Sequence, residues 1–189
     1  MPEKTAVPWS YANLWPLPAT TVMVSCVGQE RPPNIITIGA CGIASARPPL
    51  ISLAFGTRQY SLELINEVGD FVVNIPSAGQ VQVTDWCGRV SGRSVDKFTE
   101  GGLTPGQSLK VKSPFIAECP VNFECTLWQI VHCGSHDLVL GEIVQVHLDT
   151  DKLAPSGDHL DPAKVNLLLS YQMEYWDLGR SLGGWQTIG

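Results

Sequence analysis

Positive charge is scarce in this sequence. Its 189 residues hold 12 Lys and Arg against 18 Asp and Glu, a formal net charge of -6. That balance argues against a protein that lives on a nucleic-acid backbone, where affinity comes from neutralised phosphates. No apolar run approaches the roughly 20 residues of a membrane helix. The first residues carry Glu3 and Lys4 and then prolines, without an apolar stretch and a small-residue cleavage site. A secretory leader is therefore not expected, and the expected location is cytoplasmic. Of the six cysteines, Cys26, Cys41, Cys87, Cys119, Cys125 and Cys133, none forms a Cys-x-x-Cys pair, so reduced thiols are expected. His132 and His136 flank Cys133 at a spacing that holds metal on a helix. The run His-Cys-Gly-Ser-His-Asp reads instead as a turn between strands, and no metal is assigned.

The common catalytic signatures are missing too. There is no Gly-x-Gly-x-x-Gly after a strand, no Walker loop, no Gly-x-Ser-x-Gly elbow and no His-Glu-x-x-His helix. Carboxylates are scattered, and Glu63 and Glu67 read as one solvated helix face.

What is present is a folded, strand-rich chain. Hydrophobic residues make up 44% and charged residues 16%, the profile of a domain with a sizeable core. Residues 1–18, with four prolines and Trp9, Tyr11 and Trp15, read as an arm. Strands are expected at 19–28, 34–40, 50–55, 70–75, 118–131 and 137–148 from β-branched and apolar patterning. Two strand pairs, 19–28 with 34–40 and 118–131 with 137–148, are separated by turn signals and read as hairpins. Residues 41–49 (CGIASARPP) read as a loop. Leu62, Ile65 and Val68 recur at helical spacing before Gly69, with Ser61 or Thr57 as a possible cap. A second helix is expected over 79–90. Hairpins in series argue for an antiparallel sheet or barrel. The domain is expected at 19–163. A tail at 164–189 carries Tyr171, Tyr175, Trp176 and Trp185.

Three features can carry chemistry. Arg58 and Ser61 sit where a strand gives way to a helix, whose free N–H groups suit an anion. An ordinary cap and a solvated arginine remain the alternative. Arg89, Arg93 and Lys97 gather a quarter of the chain's basic residues in a Gly-containing stretch, which reads alternatively as a solvated loop. Gly39 to Ser45 are small enough for a flat ligand to approach the backbone, or for a plain tight turn.

In this order the features resemble the flavin reductase-like family of FMN-binding split barrels, and within it the flavoredoxin type. The matching stretches are Asn34-Ile-Ile-Thr37, the small-residue segment with Ser45 and Pro48-Pro49, and Arg58-Gln-Tyr-Ser61-Leu-Glu-Leu-Ile65. Gly69-Asp-Phe-Val-Val-Asn74 follows, then Ser91 to Phe98, Gly102-Leu-Thr-Pro105 and His136-Asp-Leu-Val-Leu-Gly-Glu142. The aromatic and glycine-bearing tail also resembles the family, so the likeness runs over about residues 19 to 180.

The resemblance implies a mainly β fold: a six-stranded antiparallel split β-barrel of Greek-key type, with short helices and an extended C-terminal tail packed on the barrel or on a dimer partner. It implies a homodimer with FMN near the subunit interface. Asn34 and Thr37 would lie by the flavin and its ribityl chain. Ala40, Cys41 and Gly42 would face the ring, with Ser45 nearby. Arg58, Ser61 and Lys97 would hold the phosphate, and His136 would approach the flavin as the candidate catalytic residue. Family members often carry an aromatic where Ala40 stands. Cys41 beside a flavin suggests a redox thiol or, alternatively, a small buried hydrophobe. The implied function is an FMN-dependent oxidoreductase or electron carrier, with NAD(P)H or a redox protein as donor. The alternatives are a flavin reductase component that uses FMN as substrate, a non-catalytic FMN store or sensor, and a barrel that holds another planar ligand.

Overall fold

The computed structural model describes residues 2–8 and 17–181. Trp9, Tyr11 and Trp15 of the N-terminal arm and Trp185 of the tail lie outside the described residues. The strands are β1 (Ala19–Cys26), β2 (Asn34–Ala46), β3 (Pro49–Gly56), β4 (Asp70–Ile75), β5 (Pro105–Gly106), β6 (Phe115–Ile116), β7 (Val121–His132), β8 (His136–Leu148), β9 (Leu168–Tyr171) and β10 (Glu174–Asp177). The α-helices are α1 (Tyr60–Val68), α2 (Val81–Arg89) and α3 (Lys97–Glu100).

Six strands run in the order β1-β2-β3-β8-β7-β4, and β4 pairs back onto β1 to close the sheet. Every pairing is antiparallel. The local order β4-β1-β2-β3 is a Greek key. Closure leaves no free edge in the ring. Alternate residues of each strand fill the barrel, among them Val22, Val24, Ile36, Ile38, Leu53 and Phe71. Leu62, Leu64 and Ile65 of α1 join the same core. This helix ends at Gly69, whose left-handed φ of 79° lets its N–H reach Ile65 O. A second, outer cluster joins Met23 and Ile35 to Cys87, Phe98, Leu103 and Ile116. The outward face of β1 and β2 is thus roofed by α2 and α3.

Two expectations change. Residues 41–46 are not a loop: β2 continues through them to a tight turn into β3. Small residues suit the outer face of a long hairpin as well as they suit a turn, and composition does not separate the two. The tail is also more ordered than an extended arm, since β9 and β10 form a hairpin with β9 paired to Ala19 and Thr20 of β1.

Three buried polar side chains fasten the long connection after α3 to the barrel. Asn74 donates to Met23 O (3.0 Å) and Ser25 Oγ (2.9 Å) and accepts from Ile116 N (2.8 Å). Asp70 accepts from Lys112 N (3.0 Å) and Ser113 Oγ (2.6 Å). Glu124, fully buried, accepts from Leu109 N (2.8 Å), Lys110 N (2.6 Å) and Val111 N (3.2 Å), with His147 Nε2 2.5 Å away. Burial alone would raise the Glu124 pKa. The Leu109 and Lys110 N–H groups and His147 outweigh it and hold the carboxyl below its ordinary 4.5.

A depressed folded-state pKa contributes stability above the unfolded value and loses it as pH falls through the folded one. Glu124→Ala should cost about 3 kcal/mol at pH 7, because three amides lose a charged acceptor. Glu124→Gln should flatten the loss of stability below pH 4.5 in urea titrations. An acid limb unchanged by the substitution would show that Glu124 does not carry this anchoring.

Candidate functional site

A polar cleft of about 220 Å³ opens where β2 begins, α1 begins and the chain leaves α2. Asn34, Ser61, Arg89, Ser91, Gly92 and Lys97 line it. Asn34 Nδ2 donates to Ser61 Oγ at 2.9 Å, which leaves the serine proton to donate elsewhere. Asn34 Oδ1 is buried without a partner. Gly92 presses on this amide: a Cβ there would lie 1.9 Å from Oδ1, so no larger residue fits. No side chain caps Gln59 at the start of α1. The first N–H groups of that helix therefore present their partial positive charge to the cleft.

Lys97 is 2% exposed. It is the first residue of α3, which Asp96 caps by accepting from Phe98 N and Thr99 N. Its ammonium donates to Ile35 O (2.6 Å) and Cys87 O (2.7 Å) and so ties β2, α2 and α3 together. Among the described residues no carboxylate pairs with it. Desolvation holds its pKa below the ordinary lysine value. The result is a buried cation with one donor in reserve, on the wall of a polar cleft.

Two wider clefts adjoin this one. The first, about 380 Å³, is lined by Thr37, Ala40, Ala54, Gln59, Ser135 and His136. The second, about 390 Å³, is lined by Thr37, Gly39, Gly88, Arg89, Met173 and Tyr175. The polar cleft shares Ile36 and Gln59 with the first, and Gly88 and Arg89 with the second. Thr37 stands between the two wider clefts, its hydroxyl donating to Thr84 O. Tyr175 reaches across from β10 to donate to Asp85 Oδ1 at 3.2 Å, and Asp85 in turn holds Arg89 at 2.8 Å.

A bulge in β2 creates this outer surface. Val22 pairs with Ile38 and Thr20 with Cys41, so β2 spends three residues where β1 spends two. Ile38 and Cys41 both turn into the core, and Gly39 and Ala40 are left on the outside together. Of the two readings of Cys41, a thiol beside the ring and a small buried hydrophobe, its packing fits the second: it sits against the barrel core opposite Leu53, and burial pushes its thiol up to about 12.

The structure thus brings Asn34, Ser61 and Lys97 into one cleft and Thr37, Ala40 and His136 into the next. Gly42, Ser45 and Arg58 line none of the three. Ser45 Oγ accepts from Arg47 N (3.2 Å) at the β2–β3 turn, and Arg58 is exposed just ahead of α1. Neither Ser61 nor Thr57 caps that helix, since Gln59 holds the cap position and Ser61 lies inside the first turn, 1% exposed. Sequence reasoning missed Gln59, Tyr60, Ser91 and Gly92 as lining residues. Arg89 and Gly92 carried a signal in the basic, glycine-broken stretch; Tyr60 carried none. Opposite Ala40, no aromatic of the described chain fills its cleft; Tyr171 lines a separate hollow with Gly39 and Met173.

Comparison with known proteins places the chain in a family. A family model for the flavin reductase like domain matches residues 16–177. An uncharacterized protein of Archaeoglobus fulgidus is 38% identical over 133 residues, covering 70% of this chain and 73% of that protein. Flavoredoxin of Desulfovibrio vulgaris superposes with a TM-score of 0.89 at 28% identity, over 98% of each chain. Flavoredoxin from Methanosarcina acetivorans does so with a TM-score of 0.85 at 26% identity, over 98% of this chain and 97% of that one. The chain belongs to the flavin reductase-like domain family, and the family points to a flavin as ligand.

All six cysteines are free, and only Cys133 is exposed. Thiol titration of the native protein near pH 8 should therefore find one fast-reacting thiol, lost in Cys133→Ser. A second fast thiol, lost in Cys41→Ser, would reverse the placement of Cys41 in the core.

Proposed function

We propose that this chain is an FMN-dependent oxidoreductase or electron-transfer protein that keeps FMN bound, with the phosphate in the polar cleft. The observation that carries the reading is Lys97. A buried ammonium compensated only by two carbonyls is costly unless an anion completes its shell. The residues present fit a phosphate group: the Lys97 ammonium, the Ser61 hydroxyl, the first N–H groups of α1 and Arg89 at the rim. The orphaned Asn34 Oδ1 fits a hydroxyl donor, as a ribityl chain would supply next to the phosphate. Arg58, exposed ahead of α1 and lining none of the clefts, adds only long-range positive charge.

The wider clefts along β2 then take the ring. Gly39 and Ala40 present little beyond backbone there, so a flat ligand can approach closely. His136, with Ser135 Oγ 2.9 Å from its Nδ1, stands beside that face as the candidate proton donor. A bound flavin supplies hydride and electron transfer. The chain's own part is to hold the phosphate, fix the ring against β2 and place His136 next to it. NAD(P)H or a redox protein would be the electron donor.

Flavin fluorescence titration tests this. FMN should bind far more tightly than riboflavin. Lys97→Met should erase most of that preference, a loss of about 2–3 kcal/mol for a buried charge-assisted contact. Ser61→Ala should erase part of it, and Arg58→Ala less. Because the free Lys97 pKa is depressed, FMN affinity should be full at neutral pH and fall as pH rises, before 10.5, while riboflavin affinity stays level. Equal affinities for FMN and riboflavin would sink the phosphate assignment. NADH that fails to bleach the FMN-loaded protein would favour a redox-protein donor or the store and sensor reading.

A further inference from the structure

The two wider clefts meet the polar cleft at Ile36, Gln59, Gly88 and Arg89. The rest of its lining includes Asn34, Tyr60, Ser61, Ser91, Gly92 and Lys97. Tyr60 is clamped there. The Arg93 guanidinium lies 4.6 Å from its ring centroid and that of Arg31 lies 5.4 Å away. Glu63 bonds Arg93 and lies 3.7 Å from Arg31, while Glu67 also bonds Arg31. Three segments are thereby locked around one ring: the β1–β2 turn, the first turn of α1 and the loop after α2.

We infer that this Arg31–Tyr60–Arg93 stack ends the cleft after one phosphate and so makes the site select FMN over FAD. The inference rests on the flavin reading above and adds the residues that set the length of the ligand. The steric part is the clamped ring together with Gly92, which is packed closely against the Asn34 amide. The electrostatic part is the pairing itself. Both guanidinium groups are already neutralised by Glu63 and Glu67, so a second phosphate emerging past Tyr60 meets carboxylates without a free cation. Lys97, the unpaired cation, lies on the inner wall where the first phosphate ends.

The test compares the affinities of FMN, FAD and riboflavin for the full chain and for Tyr60→Ala, Tyr60→Phe and Glu63→Gln. Wild type should prefer FMN over FAD by roughly tenfold or more. Tyr60→Ala, which removes the ring, and Glu63→Gln, which frees the Arg31 and Arg93 guanidinium groups of their shared carboxylate, should each reduce that ratio to about threefold or less, chiefly through tighter FAD binding, and Tyr60→Phe, which keeps the ring, should retain it. The preference for FMN over riboflavin should persist in all four proteins. Glu63 is half exposed, so its substitution probes the pairing even where loss of Tyr60 disturbs folding. Equal affinity of wild type for FMN and FAD, or a ratio unmoved in Glu63→Gln, would overturn the stop. Loss of the FMN-over-riboflavin preference in wild type would overturn the phosphate reading instead, and the stop along with it.

Discussion

The buried ammonium of Lys97 is the contact on which the site depends. It joins the carbonyls of Ile35 in β2 and Cys87 in α2, and α3 carries it there. The outer layer of helices is thereby pinned to the barrel at the point where the polar cleft forms. A neutral side chain could bridge the same elements by packing alone. A cation in that position leaves the bridge electrostatically incomplete, and on the proposed reading an anionic ligand would complete it. Fold and ligand would then be coupled through one side chain.

The barrel sets where that can happen. Closing six antiparallel strands forces alternate residues inward, and the bulge in β2 breaks the alternation once. At that break Gly39 and Ala40 both face outward, and the α2–α3 roof ends there. A smooth surface on one side and a charged pocket on the other follow from a single inserted residue. The β9–β10 hairpin adds a wall, with Gln172 and Met173 both at positive φ at its tip. A two-residue hairpin loop of this kind needs φ > 0 at both residues, whose backbone twist matches that of the strands. The hairpin is fastened to β1 through Ala19 and Thr20, and to α2 through the Tyr175–Asp85 bond.

Much of this was legible in the sequence. β-branched and apolar runs located four of the barrel strands and alternation located the two of the second hairpin, while the helical spacing of Leu62, Ile65 and Val68 with Gly69 located α1. The ordered motifs gave the family. Composition misread residues 41–46, because small residues are as compatible with an exposed strand as with a loop. For Cys41 the resemblance put the thiol at the ring and the residue type read as a small buried hydrophobe; its packing fits the second, because the bulge in β2 turns it inward. The clamp on Tyr60 was hidden for a different reason. Arg31, Glu63 and Arg93 lie far apart in the chain, and only the barrel brings them to one ring. The three buried polar anchors of the long connection after α3 were invisible in the sequence, because Asp70, Asn74 and Glu124 show their role only once their partners are in place.

The central claim is that a flavin phosphate sits beside Lys97, shielded from water. Phosphorus-31 NMR of FMN bound to the full chain addresses it directly. A solvated phosphate monoester titrates with a second pKa of about 6. The account predicts one bound resonance, shifted from free FMN, whose position stays constant from pH 5.5 to 8.5 because the cleft holds the dianion. A bound resonance that follows the solution titration, with its midpoint near 6, would contradict it.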